Sequence, residues 1–83
     1  MPLPEADQYR ILNALTADFD AYEGIGNIYS QLSGSTRLSQ IEIYFDPSTT
    51  AEEIDRLRGR IEERLRGHFR KLLFHLIPLV RET

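Results

Sequence analysis

Residues 32–55, LSGSTRLSQIEIYFDPSTTAEEID, hold a turn, a strand and a helix start in one short stretch. The turn is Ser33-Gly34-Ser35, where Gly34 takes a positive φ without steric cost. The strand spans about residues 38–46. Its second half alternates, with Ile41, Ile43 and Phe45 on one face and Glu42, Tyr44 and Asp46 on the other. Pro47 lacks a ladder donor and stops the strand. Residues 49–52, TTAE, then read as a capping box between Thr49 and Glu52, with Thr50 and Glu53 as the alternative pair one residue on.

With 83 residues the chain has room for a single domain, near the lower size limit for a core without covalent staples. It has no cysteine, which excludes a disulfide framework and thiolate chemistry. The formal net charge of -3 argues against nucleic acid as a partner. No apolar run approaches the roughly 18 residues that a membrane span needs. The opening residues MPLP lack the basic and apolar regions of a secretory leader.

Before the central stretch, Pro2 and Pro4 make an extended entry, and Pro4 suits the first turn of a helix. Ile11, Leu12, Leu15, Phe19 and Tyr22 follow at spacings of three and four, predicting an amphipathic helix over about residues 4–22. Gly24 is its expected C-terminal cap. Residues 25–32 read as a first strand, with Ile28 and Leu32 on one side, Tyr29 and Gln31 on the other, and poor alternation overall. After the central stretch, Ile54, Leu57, Ile61 and Leu65 form the buried stripe of a second helix over about residues 50–66, ended by Gly67. Glu52 with Arg56, and Glu62 with Arg66, are placed to pair along it. The last strand, about residues 71–80, is apolar on both faces, a pattern of a strand covered on both sides.

The order is therefore αββαβ, an α+β domain in which two helices cover one face of a three-stranded mixed sheet. The covered face should carry Ile41, Ile43, Phe45, Leu72, Phe74 and Leu76. The opposite face then presents Tyr29, Glu42, Tyr44, Leu73, His75 and Ile77, a mixed patch that nothing in the monomer covers. Such patches mark interaction surfaces.

These pieces, taken in order, resemble a known family. The S-G turn before IEIYFDP, the TAEEI helix start, the closing FHLIP strand, the opening PLPEADQYRIL and the segment DAYEGIGNI are similar to the cytosolic C-terminal domain of cation diffusion facilitators, over nearly the whole chain. The resemblance implies a ferredoxin-like open sandwich, residues 1–83 as one such domain, lying at the cytoplasmic face of a membrane. It implies continuity with a transmembrane bundle that exchanges divalent cations for protons, and hence a domain excised from a longer protein, with Met1 an introduced start. It also implies a homodimer, and the uncovered face supplies the expected contact residues Tyr29, Tyr44, Leu73, His75 and Ile77.

The family's metal ligands carry over position by position. A His before the core of the first strand is replaced by Gly26, and a His on the second strand by Glu42. A His early in the second helix is replaced by Asp55. The last strand's H-x-[DE]-P becomes HLIP, keeping His75 and Pro78 but placing Ile77 where the acid stood. What remains is a degenerate set, Glu42, Asp55 and His75, for weak binding of zinc, manganese or iron. Strand alternation independently puts Glu42 and His75 on one face, where a carboxylate and a neutral imidazole can share an ion. Asp55 has to reach round a sheet edge. The plain alternative makes Glu42 and Asp55 solvated acids and His75 an interface histidine.

Other chemistry fits less well. The arginines of the second helix are nearly balanced by acids and have no aromatic platform beside them, so they form a solvated face. His68 lies just past a helix end and caps carbonyls. There is no phosphate-binding glycine motif and no nucleophile paired with a base, so an enzyme is not expected. The alternative function is a free-standing ferredoxin-like module sensing a small ligand or a metal. Six apolar spans upstream of the chain would mark the transporter, and their absence the separate module.

Overall fold

The computed structural model describes residues 5–81, except for the side chain of Asp7. Pro2 and Pro4, expected to lead into the first helix, lie outside the described residues. The elements run α1 (Glu5–Thr16), a single 3-10 turn (Phe19–Ala21), β1 (Gly24–Ser33), β2 (Thr36–Phe45), α2 (Ala51–Arg66) and β3 (Leu72–Val80). This is the α+β arrangement of two helices and a three-stranded mixed sheet read from the sequence.

The sheet order is β1-β2-β3, with β1 antiparallel and β3 parallel to β2. The hairpin closes at Ser33 opposite Thr36, around Gly34 at φ 63°. A two-residue turn suffices there, whereas parallel neighbours need a crossover, which α2 supplies. The buried core is Ile11, Ala14 and Leu15 of α1, Leu57, Ile61 and Leu65 of α2, and Ile41, Ile43, Phe45, Leu72, Phe74 and the loop residue Phe69. Leu76 packs against it, so the six sheet residues expected under the helices do lie there.

Three local expectations need correction. The first helix ends at Thr16 rather than at Tyr22, and Phe19 is 66% exposed rather than part of the buried stripe. Leu12 is also exposed. The Thr16 hydroxyl donates to the Asn13 carbonyl, a side-chain bond that competes with helix continuation. Asp18 is drawn instead into ion pairs with Arg60 and Arg64 of α2. Gly24 is not a helix cap but the first residue of β1. The capping box at α2 is the alternative pair: the Thr50 hydroxyl accepts the Glu53 N–H at 3.1 Å, and the Glu53 carboxylate takes the Thr50 N–H.

The Asp18 ion pairs tie the turn after α1 to α2. Arg60 Nε donates to Asp18 Oδ1 at 3.3 Å, and Arg64 Nη1 donates to Asp18 Oδ2 and to the Ala14 carbonyl. Tyr22 adds a bond from its hydroxyl to the Leu15 carbonyl at 2.9 Å, and burial, reinforced by the Asp18 charge, pushes its phenol above the ordinary value. The hydrogen bond from Arg64, aided by the charges of Arg64 and Arg60, holds the Asp18 carboxyl below its ordinary range despite partial burial. A carboxyl depressed in the folded state stabilises the fold above its unfolded value, about 3.9. That contribution is lost as pH falls through the lower folded value. Asp18→Asn is therefore expected to cost about 1–2 kcal/mol at neutral pH and to flatten the fall in stability below about pH 4. Urea unfolding at pH 7 and at pH 3 checks this; equal slopes against pH for parent and variant would refute it.

Candidate functional site at the open sheet face

With both helices on one side, no helix among the described residues covers the other face of the sheet. Register sets its rows: Gln31, Leu38 and Leu73; Tyr29, Gln40 and His75; Glu42 and Ile77; Gly24, Tyr44 and Leu79. Leu73 is 54% and Tyr29 55% exposed, and both stand on this face. They belong to a shallow cleft of about 480 Å³ whose lining includes Tyr29, Gln31, Leu38, Gln40, Leu73 and His75. The double apolar pattern of β3 is thus only half accounted for by the protomer, since Leu72 and Phe74 are buried while Leu73 and His75 are exposed.

The two ends of this face differ. At the Tyr29 end Tyr29, Gln31, Gln40, Leu73 and His75 are all exposed. At the Tyr44 end the face is covered from within the chain: the Arg81 guanidinium lies 5.2 Å from the Tyr44 ring centroid. The guanidinium also lies over Gly24, where a Cβ would come within 2.9 Å of it. Tyr44 is accordingly only half-exposed, and Ile77 is half-exposed as well. Gln40 and Arg81 were not among the expected face residues. Alternation along β2 already pointed to Gln40, but nothing in the sequence pairs Arg81 with Tyr44.

The poor alternation of β1 has a geometric cause. The register slips between Ile25, opposite Ile43, and Ile28, opposite Ile41. Gly26 and Asn27 together stand opposite the single residue Glu42, a β-bulge. The extra residue puts Ile25 and Ile28 on the same side, and a strict period of two therefore fails there.

The expected ligand set is spread over the molecule. His75 stands opposite Gln40 and Glu42 opposite Ile77, so the two share a face but not a row. The Glu42 carboxylate turns toward β1, where Oε1 accepts the Asn27 N–H at 3.0 Å. Asp55 is on α2, on the far side of the sheet, and its exposed carboxylate accepts Arg58 Nε at 3.2 Å. Among the described residues no three His, Asp or Glu side chains are gathered as a metal site requires. Within one protomer these donors therefore do not fit a divalent ion. His68 caps as expected through its backbone, whose N–H reaches the Leu65 carbonyl at 3.0 Å, and its ring meets the edge of Phe69.

Comparison with solved structures finds the same architecture elsewhere. A nickel form of a variant of the MamM C-terminal domain superposes with a TM-score of 0.74 at 22% identity, covering 95% of this chain and 100% of that one. A copper form matches with a TM-score of 0.74 at 23% identity over 94% of this chain and 98% of that one. A cadmium form agrees equally well, at 23% identity over the same shares. The chain has the fold of the MamM C-terminal domain. That domain is the cytosolic part of a cation diffusion facilitator, so the fold agrees with the resemblance read from the sequence. No protein-family model and no curated protein matches the chain. No helix among the described residues is long and apolar enough to cross a membrane.

Proposed function

We propose that this chain is a cytosolic, dimer-forming regulatory domain of a divalent-cation/proton antiporter of the cation diffusion facilitator type, working at the cytoplasmic face of a membrane. The observation that carries the reading is the uncovered sheet face, with Leu73, Tyr29 and His75 in one cleft, on a fold shared end to end with MamM C-terminal domains. A second copy of the chain is the partner, and its apposed face buries the apolar side of β3 that the helices leave bare. The contact centres on Tyr29, Leu73 and His75, with Tyr44 and Ile77 at its margin.

Metal has a minor place in this reading. His75 and Glu42 would donate from the open face, whereas Asp55, on the helical side of the sheet, does not face that contact in either subunit. One imidazole with carboxylates and no thiolate discriminates little among zinc, manganese and iron. The dimer is therefore expected to form without metal. Light scattering after exhaustive chelation should report a dimer at micromolar concentration, and calorimetric titration with zinc or manganese should give no dissociation constant tighter than about 1 mM, a binding free energy of about -4 kcal/mol. A chelated monomer that dimerises on adding zinc would replace this reading with a metal-driven one.

A further inference from the structure

The corner of the open face formed by Gly26, Asn27, Glu42, Tyr44 and Arg81 is built as one unit. A bulge leaves its extra residue without a ladder partner, and its backbone donor must be satisfied in some other way. Here the Glu42 side chain, from the residue directly opposite, accepts the Asn27 N–H at 3.0 Å. Glu42 can lie along the bulge only because position 26 has no side chain. A Cβ on Gly26 would come to 2.9 Å from Glu42 Oε1, 3.0 Å from Glu42 Cβ and 3.2 Å from Tyr44 Cε2. The Tyr44 ring edge lies beside the same glycine, and the Arg81 guanidinium lies over that ring. Glycine, carboxylate, ring and guanidinium thus interlock across β1, β2 and the end of β3.

We propose that Glu42 is a latch: its carboxylate closes the Gly26–Asn27 bulge and fixes the shape of this corner of the open face, and a divalent ion that takes Oε1, or both carboxylate oxygens, has to displace the Asn27 N–H to bind there. The latch stands on the geometry alone; only the clause about metal rests on the function proposed above. A carboxylate that already accepts a backbone N–H beside its own strand is not oriented toward His75, which lies one row away. Its role is positional, and it acts through the backbone of β1.

The chemistry of the acceptor gives a test that separates latch from ligand. Glutamine keeps the reach and the carbonyl oxygen that takes the Asn27 N–H, but it is a poor metal donor. Aspartate keeps the charge and the metal-binding group, but it is one methylene short. Amide hydrogen exchange followed by NMR, with thermal unfolding, is measured on the parent, Glu42→Gln, Glu42→Asp and Glu42→Ala, each with and without zinc. The Asn27 amide of the parent should exchange about tenfold more slowly than in Glu42→Ala and Glu42→Asp, with Glu42→Gln close to the parent. The melting temperature should fall by about 2–5 °C in the alanine and aspartate variants and by less than half of that in the glutamine variant. Zinc should leave the parent's melting temperature unchanged. The parent alone offers a check should a variant fail to fold: its Asn27 amide should be protected although the residue is exposed. An unprotected Asn27 amide in the parent would overturn the latch. So would an alanine variant that matches the parent, or stabilisation by zinc that survives in Glu42→Asp and is lost in Glu42→Gln. Light scattering of the same samples reads the dimer separately, so loss of the latch and loss of the proposed assembly are distinguishable.

Discussion

Phe74→Ala is expected to lower stability by about 3–5 kcal/mol, the cost of emptying a large buried site that its neighbours cannot refill. Phe74 is 6% exposed and belongs to the same cluster as Ile41, Leu57 and Leu65, with helices above it and the sheet below. A domain of this size has only about 5–10 kcal/mol to lose. At roughly 4–8 °C per kcal/mol, the melting temperature should drop by at least about 12 °C. Leu73→Ala, one residue away on the same strand, should change it little in the monomer because that side chain points to the open face. The pair is a direct test of which face of β3 is core. A Phe74→Ala variant that melts within a few degrees of the parent would mean that the two faces had been exchanged.

That assignment of faces was legible before any coordinates, and for a simple reason. On β2 the alternation of Ile41, Ile43 and Phe45 with Glu42 and Tyr44 leaves only one face that can be buried, and a one-residue slip would bury Glu42 instead. On β3 both faces are apolar, so alternation alone is silent. Its register followed from β2, because two helices can cover only one side of so small a sheet. The helix boundaries were less legible. Phe19 has the spacing of the apolar stripe, but the helix stops short of it because Thr16 and Asp18 spend their side chains elsewhere. Spacing along the chain carries no information about a partner 46 residues away such as Arg64.

The site was legible as a face and illegible as a set of contacts. Period two puts Glu42 and His75 on one side, which holds. What period two does not contain is the direction in which a carboxylate turns once a bulge offers it a backbone donor. The bulge itself left only a negative trace, the failed alternation between Ile25 and Ile28, with Gly26 inside the failure. An isolated glycine within a strand pattern is a bulge signal, and that signal, read together with the acid opposite, was the available clue. The Arg81 stack on Tyr44 left no trace at all, since it joins two elements through a side chain at the end of the last strand.

The largest effect on assembly is expected from Leu73→Asp. In a twofold contact one patch is used by both subunits, so a single substitution places two carboxylates in the interface. Leu73 lines the cleft at the centre of the proposed contact and is 54% exposed in the protomer, so aspartate there is solvated in the monomer and desolvated only on association. Burying a carboxylate without a partner is costly, and the central apolar contact of Leu73 is lost as well. The dimer should therefore weaken by at least about a hundredfold, equivalent to about 2.7 kcal/mol. Ile77→Asp should weaken it less, because Ile77 is already half-covered and stands opposite Glu42, in a row at the margin. Sedimentation equilibrium across a micromolar concentration series measures both, with circular dichroism to establish that each variant keeps its fold. Two outcomes would remove the open face from the assembly: a parent that stays monomeric at high micromolar concentration, or a Leu73→Asp variant that associates as the parent does.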